Sequence, residues 1–119
     1  MACSGIMRKA GGVTIVDLTG RVTLGEGSGV LRDTVKRLVE SGETMIILNL
    51  AGVNYFDSAG LGELVGSFAT VTNRGGALKL LNVQKRVHEV LQITRLNTVF
   101  EAFTDEAEAV ASFARAARA

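Results

Sequence analysis

The segment Asn54-Tyr55-Phe56-Asp57-Ser58-Ala59-Gly60-Leu61-Gly62 sets a carboxylate and a hydroxyl side by side among small residues. It follows an apolar run and opens a helical pattern, so Ser58 falls just before or within a first helical turn. A side chain there points out into a region of unpaired backbone N–H groups. In open α/β sheets, binding and catalysis gather beyond the carboxyl ends of the strands. Gly60 and Gly62 add no bulk, which leaves room for another molecule to come close. A plainer role fits equally: Asp57 or Ser58 is simply the helix N-cap. Asp57→Asn separates capping from a role for Asp57 in orienting Ser58, because Asn caps as well as Asp.

Other chemistries find less support. A hydrolase elbow needs Gly-x-Ser-x-Gly, and Phe56 stands where its first glycine belongs. The single histidine, His88, sits between Val87 and Glu89 on a charged helical pattern, which reads as a solvated face. Gly25-Glu26-Gly27-Ser28-Gly29 precedes a helix but lacks the Gly-Lys-Ser/Thr ending of a phosphate loop. It reads as a strand-to-helix connection, with a nucleotide or small-molecule sensor as the alternative. One Cys and one His supply no paired metal ligands at metal spacing, and no cofactor is expected. Cys3 has no neighbouring base and reads as a tail residue.

The elements that must position Ser58 follow from periodicity and glycine punctuation. Val13 to Leu18 is β-branched and reads as a strand, with Ser4 to Arg8 as an earlier edge strand before Gly11-Gly12. Gly29 to Ser41 reads as a helix with Leu31, Thr34, Val35, Leu38 and Val39 inward, Ser28 as N-cap and Gly42 at its end. Asp33–Arg37 and Lys36–Glu40 are acid-then-base pairs on its exposed side. Met45 to Leu50 reads as a central strand, and Ala51 to Ser58 as the link to a second helix. That helix runs from about Ala59 to Asn73 with Leu61, Leu64, Val65, Phe68 and Thr72 inward. Then come a strand over Ala77 to Val83, a helix from Lys85 to about Thr94, a strand over Val99 to Phe103, and a helix from Asp105 to Arg115. The last begins with a capping box, Asp105 and Glu108. Alternating strands and helices give an α/β fold with a mostly parallel central sheet of four to five strands and about four helices.

The bulk properties agree. The 119 residues suit one domain spanning 1–119. The apolar fraction of 47% and charged fraction of 21% are those of a globular chain. A formal charge of +1 argues against a nucleic-acid binder. No apolar run approaches the ~18 residues of a membrane span, and no secretory apolar core stands at the N-terminus. A cytoplasmic location is the expectation.

The Asp57-Ser58-Ala59-Gly60-Leu61-Gly62 motif after the Met45–Leu50 strand resembles the signature of the STAS family (sulphate transporter and anti-sigma factor antagonist). Leu18-Thr19-Gly20-Arg21-Val22, Gly75-Gly76-Ala77-Leu78-Lys79-Leu80 and Val99-Phe100 agree with it, so the resemblance covers about Val13 to Phe113. It implies a STAS-like fold and a non-enzymatic switch protein of the free-standing bacterial kind, an anti-sigma factor antagonist. Such a protein binds an anti-sigma factor serine kinase and so frees a sigma factor. Phosphorylation of the serine matching Ser58 ends the binding, and a metal-dependent serine phosphatase resets it. Ala59 stands where many members carry a second serine, which leaves Ser58 as the only hydroxyl in the motif. The early loop reads Gly20-Arg21-Val22-Thr23 where many antagonists carry an acidic residue, which bears on partner choice and makes Arg21 a candidate contact. Arg32 and Lys36 are candidate partner contacts. The alternatives kept open are a STAS scaffold that is never phosphorylated, in a signalling or lipid-transport complex, and a hydrolase.

Overall fold

The computed structural model describes residues 3–118. The chain runs β1 (Ser4–Ala10), β2 (Val13–Val22), α1 (Glu26–Glu40), β3 (Met45–Phe56), α2 (Ser58–Asn73), β4 (Ala77–Leu81), α3 (Lys85–Ile93), a 3₁₀ turn (Leu96–Thr98), β5 (Ala102–Phe103) and α4 (Glu106–Arg118). The five strands lie in sequence order; β1–β2 is antiparallel and every later pair is parallel. The hairpin turns on Gly11 and Gly12, at φ of 56° and 81°, the left-handed pair that a two-residue hairpin loop requires. Each parallel pair needs a crossover, and α1, α2 and α3 supply them in turn.

Strand alternation sends Val16, Leu18, Ile46, Leu48, Leu50 and Leu80 to one side, where they bury against Leu31, Val35 and Leu38 of α1, Leu64 and Val71 of α2, and Val87 and Leu91 of α3. Val13, Ile15, Ile47 and Leu81 face the other side and meet Ala109 and Phe113 of α4. Lys79 is buried on that second side. Its Nζ donates to Ser112 Oγ at 2.8 Å, pairs with the Glu101 carboxylate at 3.3 Å and lies 4.6 Å from the Phe113 ring centre, so its charge is held by a carboxylate, a hydroxyl and an aromatic face.

The α/β order is as expected, but several boundaries move. β3 does not stop at Leu50. Ala51 to Phe56 remain in the strand, and Gly52 to Phe56 pair with Thr19–Val22 through two register shifts, one between Asp17 and Thr19 and one between Gly20 and Arg21, that break the alternation. α1 starts at Glu26, so Ser28 is not its N-cap; it sits buried in the first turn, and Gly25 takes the cap position at φ 95°. Helix α1 ends as predicted: Glu43 N donates to Leu38 O and Gly42 N to Val39 O, with Gly42 at φ 85°. The pairs Asp33–Arg37 and Lys36–Glu40 do not form; Arg32 instead reaches Asp33 at 3.7 Å and Glu63 of α2 at 3.6 Å.

Val99 and Phe100 are not strand residues. They follow the 3₁₀ turn, and Phe100 is buried edge-on to Phe68 with ring centres 5.2 Å apart. Only Ala102–Phe103 pairs with β4. Cys3 is not a loose tail residue either: it is buried in the main core beside β1, and burial raises its thiol pKa. Among the described residues, no helix is long and apolar enough to cross a membrane.

Candidate functional site

Phe56 ends β3 with its ring buried, and the chain turns at once into α2. Asp57 is the N-cap, in an extended conformation at φ −94° and ψ −175°. Its Oδ1 accepts from Gly60 N at 2.8 Å, which satisfies one unpaired donor of the first turn. Its Oδ2 accepts from Leu24 N at 2.9 Å, across to the β2–α1 loop. The Asp57 N–H in turn donates to Val22 O at 3.3 Å. The residue therefore caps the helix and ties the neighbouring loop to it. The N–H of Leu24 first, then that of Gly60, hold its carboxyl below the usual carboxylate range, so it is ionised at neutral pH.

Ser58 is the first residue of α2 and is exposed. It is not the cap, and its hydroxyl makes no hydrogen bond within the described residues. It stands at the positive end of a sixteen-residue helix dipole, next to a fixed negative charge. No hydrogen bond joins it to His88, which is exposed on α3.

The two motif glycines do different work. Gly60 does not open the surface; it is buried, and a Cβ there would lie 1.9 Å from Val22 O. The glycine lets α2 start against the end of β2. Gly62 is exposed, and a Cβ there would meet nothing within 4 Å. Ala59 is half-buried, and Leu61 packs partly into the main core. The buried side of α2 is Gly60, Leu64, Ser67 and Val71, so Val65 and Thr72 face solvent rather than the core. Ser58, Gly62 and Val65 consequently line up on one exposed stripe at i, i+4 and i+7.

Leu24 is the residue that sequence reasoning missed. It is 79% exposed on the loop that Asp57 holds, so a large apolar side chain stands beside Ser58. The available signal was a lone leucine in a glycine-rich connection. Arg32 and Lys36 come together in a groove of about 410 Å³ between α1 and α2, with Glu63, Ser67, Thr70 and Arg74. Arg21 is not with them. It alternates with core-facing Val22, and its guanidinium lies 4.8 Å from the Tyr55 ring centre, in a separate pocket. In the Gly25–Gly29 loop, Gly27 packs against Arg21 O, where a Cβ would be 2.4 Å away; that glycine serves close packing. Among the described residues, no three His, Cys, Asp or Glu side chains converge as a metal set.

The model of the STAS domain matches residues 6–109. The chain belongs to the STAS domain family. Among its curated STAS relatives is the anti-sigma-B factor antagonist of Bacillus subtilis, 36% identical over 86 residues, which cover 72% of this chain and 77% of the relative. The same fold appears in an anti-sigma-factor antagonist (STAS) domain protein of Planctomyces limnophilus, with a TM-score of 0.81, 21% identity and coverage of 93% of this chain and 98% of that one. It appears again in the phosphorylated form of the Bacillus cell fate determinant SpoIIAA, with a TM-score of 0.70, 21% identity and coverage of 92% and 98%.

Proposed function

We propose that this STAS protein is an anti-sigma factor antagonist controlled by phosphorylation of Ser58. One observation carries the reading: an exposed, unbonded hydroxyl at the first position of α2, beside ionised Asp57 and exposed Leu24. The name of the Bacillus subtilis relative supports it. The partner is an anti-sigma factor that is also a serine kinase, acting where ATP is available, in the cytoplasm. Leu24, Ser58, Gly62 and Val65 form the patch it covers, and Arg32 and Lys36 extend that patch along α1.

The switch follows from electrostatics. A phosphate adds ~1.5–2 negative charges and three acceptor oxygens. The N-terminus of α2 tolerates that charge, because N–H groups and the helix dipole face it. The free fold therefore changes little. At a partner interface the same charge is desolvated beside the apolar Leu24 and Val65 and repelled by Asp57. A hundredfold loss of affinity corresponds to about 2.7 kcal/mol there. A metal-dependent serine phosphatase restores the binding form.

The test is the intact mass of the chain after incubation with ATP and a candidate partner kinase. Wild type gains one phosphate, Ser58→Ala gains none, and the phosphorylated form elutes apart from the kinase in size-exclusion chromatography. A stable complex with no modification would instead make the chain an unphosphorylated STAS binding module. Unfolding of Ser58→Asp in thermal melts would refute the interface mechanism.

A further inference from the structure

We infer that the pocket formed by Arg21, Asn54, Tyr55 and Arg86 binds a phosphate dianion, either free or as a small phosphomonoester. The pocket holds about 260 Å³ and no carboxylate lines it. Arg21 and Tyr55 are partners in the β2–β3 register, and the guanidinium lies over the ring. Arg86 is the second residue of α3. Among the described residues, neither guanidinium has an ion-pair partner, whereas Arg8 and Arg32 both do.

Two unpaired guanidinium groups around one pocket repel each other, and an anion between them removes that repulsion. Phosphate suits the set better than a carboxylate. A guanidinium offers a planar fork of N–H donors that matches two phosphate oxygens. Two such forks call for an anion with three free oxygens and a second charge. A phosphomonoester has both above about pH 6. Stacking on Tyr55 restricts the Arg21 plane before any ligand arrives, so less side-chain freedom is lost on binding. The Tyr55 hydroxyl and Asn54 amide supply neutral donors. The first turn of α3 contributes further: it has no side-chain cap, because Gln84 at the cap position directs its amide to Ala51 O at 2.6 Å. Its free N–H groups bring partial positive charge to the turn that bears Arg86. None of Leu24, Ser58, Gly62 and Val65 lines this pocket, so it is not the Ser58 patch.

The experiment is an amide-shift titration of the ¹⁵N-labelled full chain at neutral pH, with ionic strength held by sodium chloride. Inorganic phosphate and adenosine monophosphate are the two probes. Saturating shifts are expected at Arg21, Asn54, Tyr55, Arg86 and Val87, with half-saturation in the millimolar range. Saturation by phosphate alone assigns the free anion, and saturation by both assigns the ester. Arg21→Gln and Arg86→Gln each weaken binding about tenfold, roughly the loss of one charge-assisted contact. Tyr55→Phe keeps the stacked ring, guards against a misfolded variant, and gives a smaller loss. Ser58→Ala leaves the titration unchanged, so failure here and failure of the phosphorylation reading are told apart. Shifts that stay linear through about 20 mM of both probes, or that persist at equal affinity in both Gln variants, overturn the assignment.

Discussion

Asp57 divides its two carboxylate oxygens between two backbone donors, Gly60 N in its own helix and Leu24 N in the next loop. That division changes what Asp57→Asn can report. An asparagine offers one acceptor oxygen, and its amide would turn a donor toward the other N–H. Good capping by Asn therefore does not protect this site. Asp57→Asn is expected to lower Tm and speed hydrogen exchange at either Leu24 or Gly60; Asp57→Ala lowers Tm further and speeds both. The sign with pH follows from the lowered carboxyl pKa. Its stabilising contribution is complete above the unfolded value near 4 and fades as pH falls through the lower folded value. Both variants should lack that part of the acid sensitivity. Wild-type exchange at Leu24 in Asp57→Ala would mean that the loop is held by something else. Because Leu24 lies in the proposed patch, both variants should also weaken kinase binding with Ser58 intact.

The α2 helix shows what was legible in sequence and what was not. Its existence, its end before Gly75-Gly76 and its place after a central strand followed from periodicity and glycine spacing. Its rotation did not, because Gly60 and Ser67 occupy the buried side where a pattern search looks for large apolar residues. Two register shifts in β3 hid Ala51–Phe56 for a similar reason, since each extra residue breaks the two-residue alternation. Phe100 was misread because a buried loop aromatic and a strand aromatic look alike in one dimension. Contact across the fold also separates two glycines that the motif presents as equals. Gly60→Ala drives a methyl into Val22 O and should cost about 1–3 kcal/mol or more, as overpacking does. Gly62→Ala meets nothing within 4 Å in a helix interior and should stabilise by about 0.5–1 kcal/mol. Urea unfolding of the two variants checks both signs. Since Gly62 lies on the exposed stripe, its variant is expected to be more stable yet to bind the kinase less well.

Across the whole molecule, one side chain joins the edge strand to the sheet and to α4. Arg8 Nε donates to Asp17 Oδ2 at 2.7 Å, and its two terminal nitrogens reach the Glu106 carboxylate at 2.9 and 2.7 Å. Asn49 donates to Asp17 Oδ1 at 2.7 Å, and Asn82 to Asn49 Oδ1 at 3.2 Å, which carries the network across β3 to the end of β4. Nothing local in the sequence links Arg8 to Glu106, because the contact exists only once α4 packs back on the sheet. Arg8 holds the carboxyl groups of Asp17 and Glu106 below their usual range, and they raise its own pKa in return. The side chains are 30–42% exposed, so solvent screening limits the stabilisation to about 1 kcal/mol at neutral pH. Lowered carboxyl pKa values mean that this stabilisation is present above about pH 4 and is lost as pH falls through the folded values. Arg8→Gln should therefore shift the urea midpoint downward at pH 7 with an unchanged slope. The gap to wild type should narrow at pH 3, and also in high salt. A gap of equal size at both pH values would instead assign the role of Arg8 to the packing of its aliphatic stem. Because the network lies on the α4 side of the sheet, away from the Ser58 stripe, the variant should still accept a phosphate at Ser58 and still release its partner.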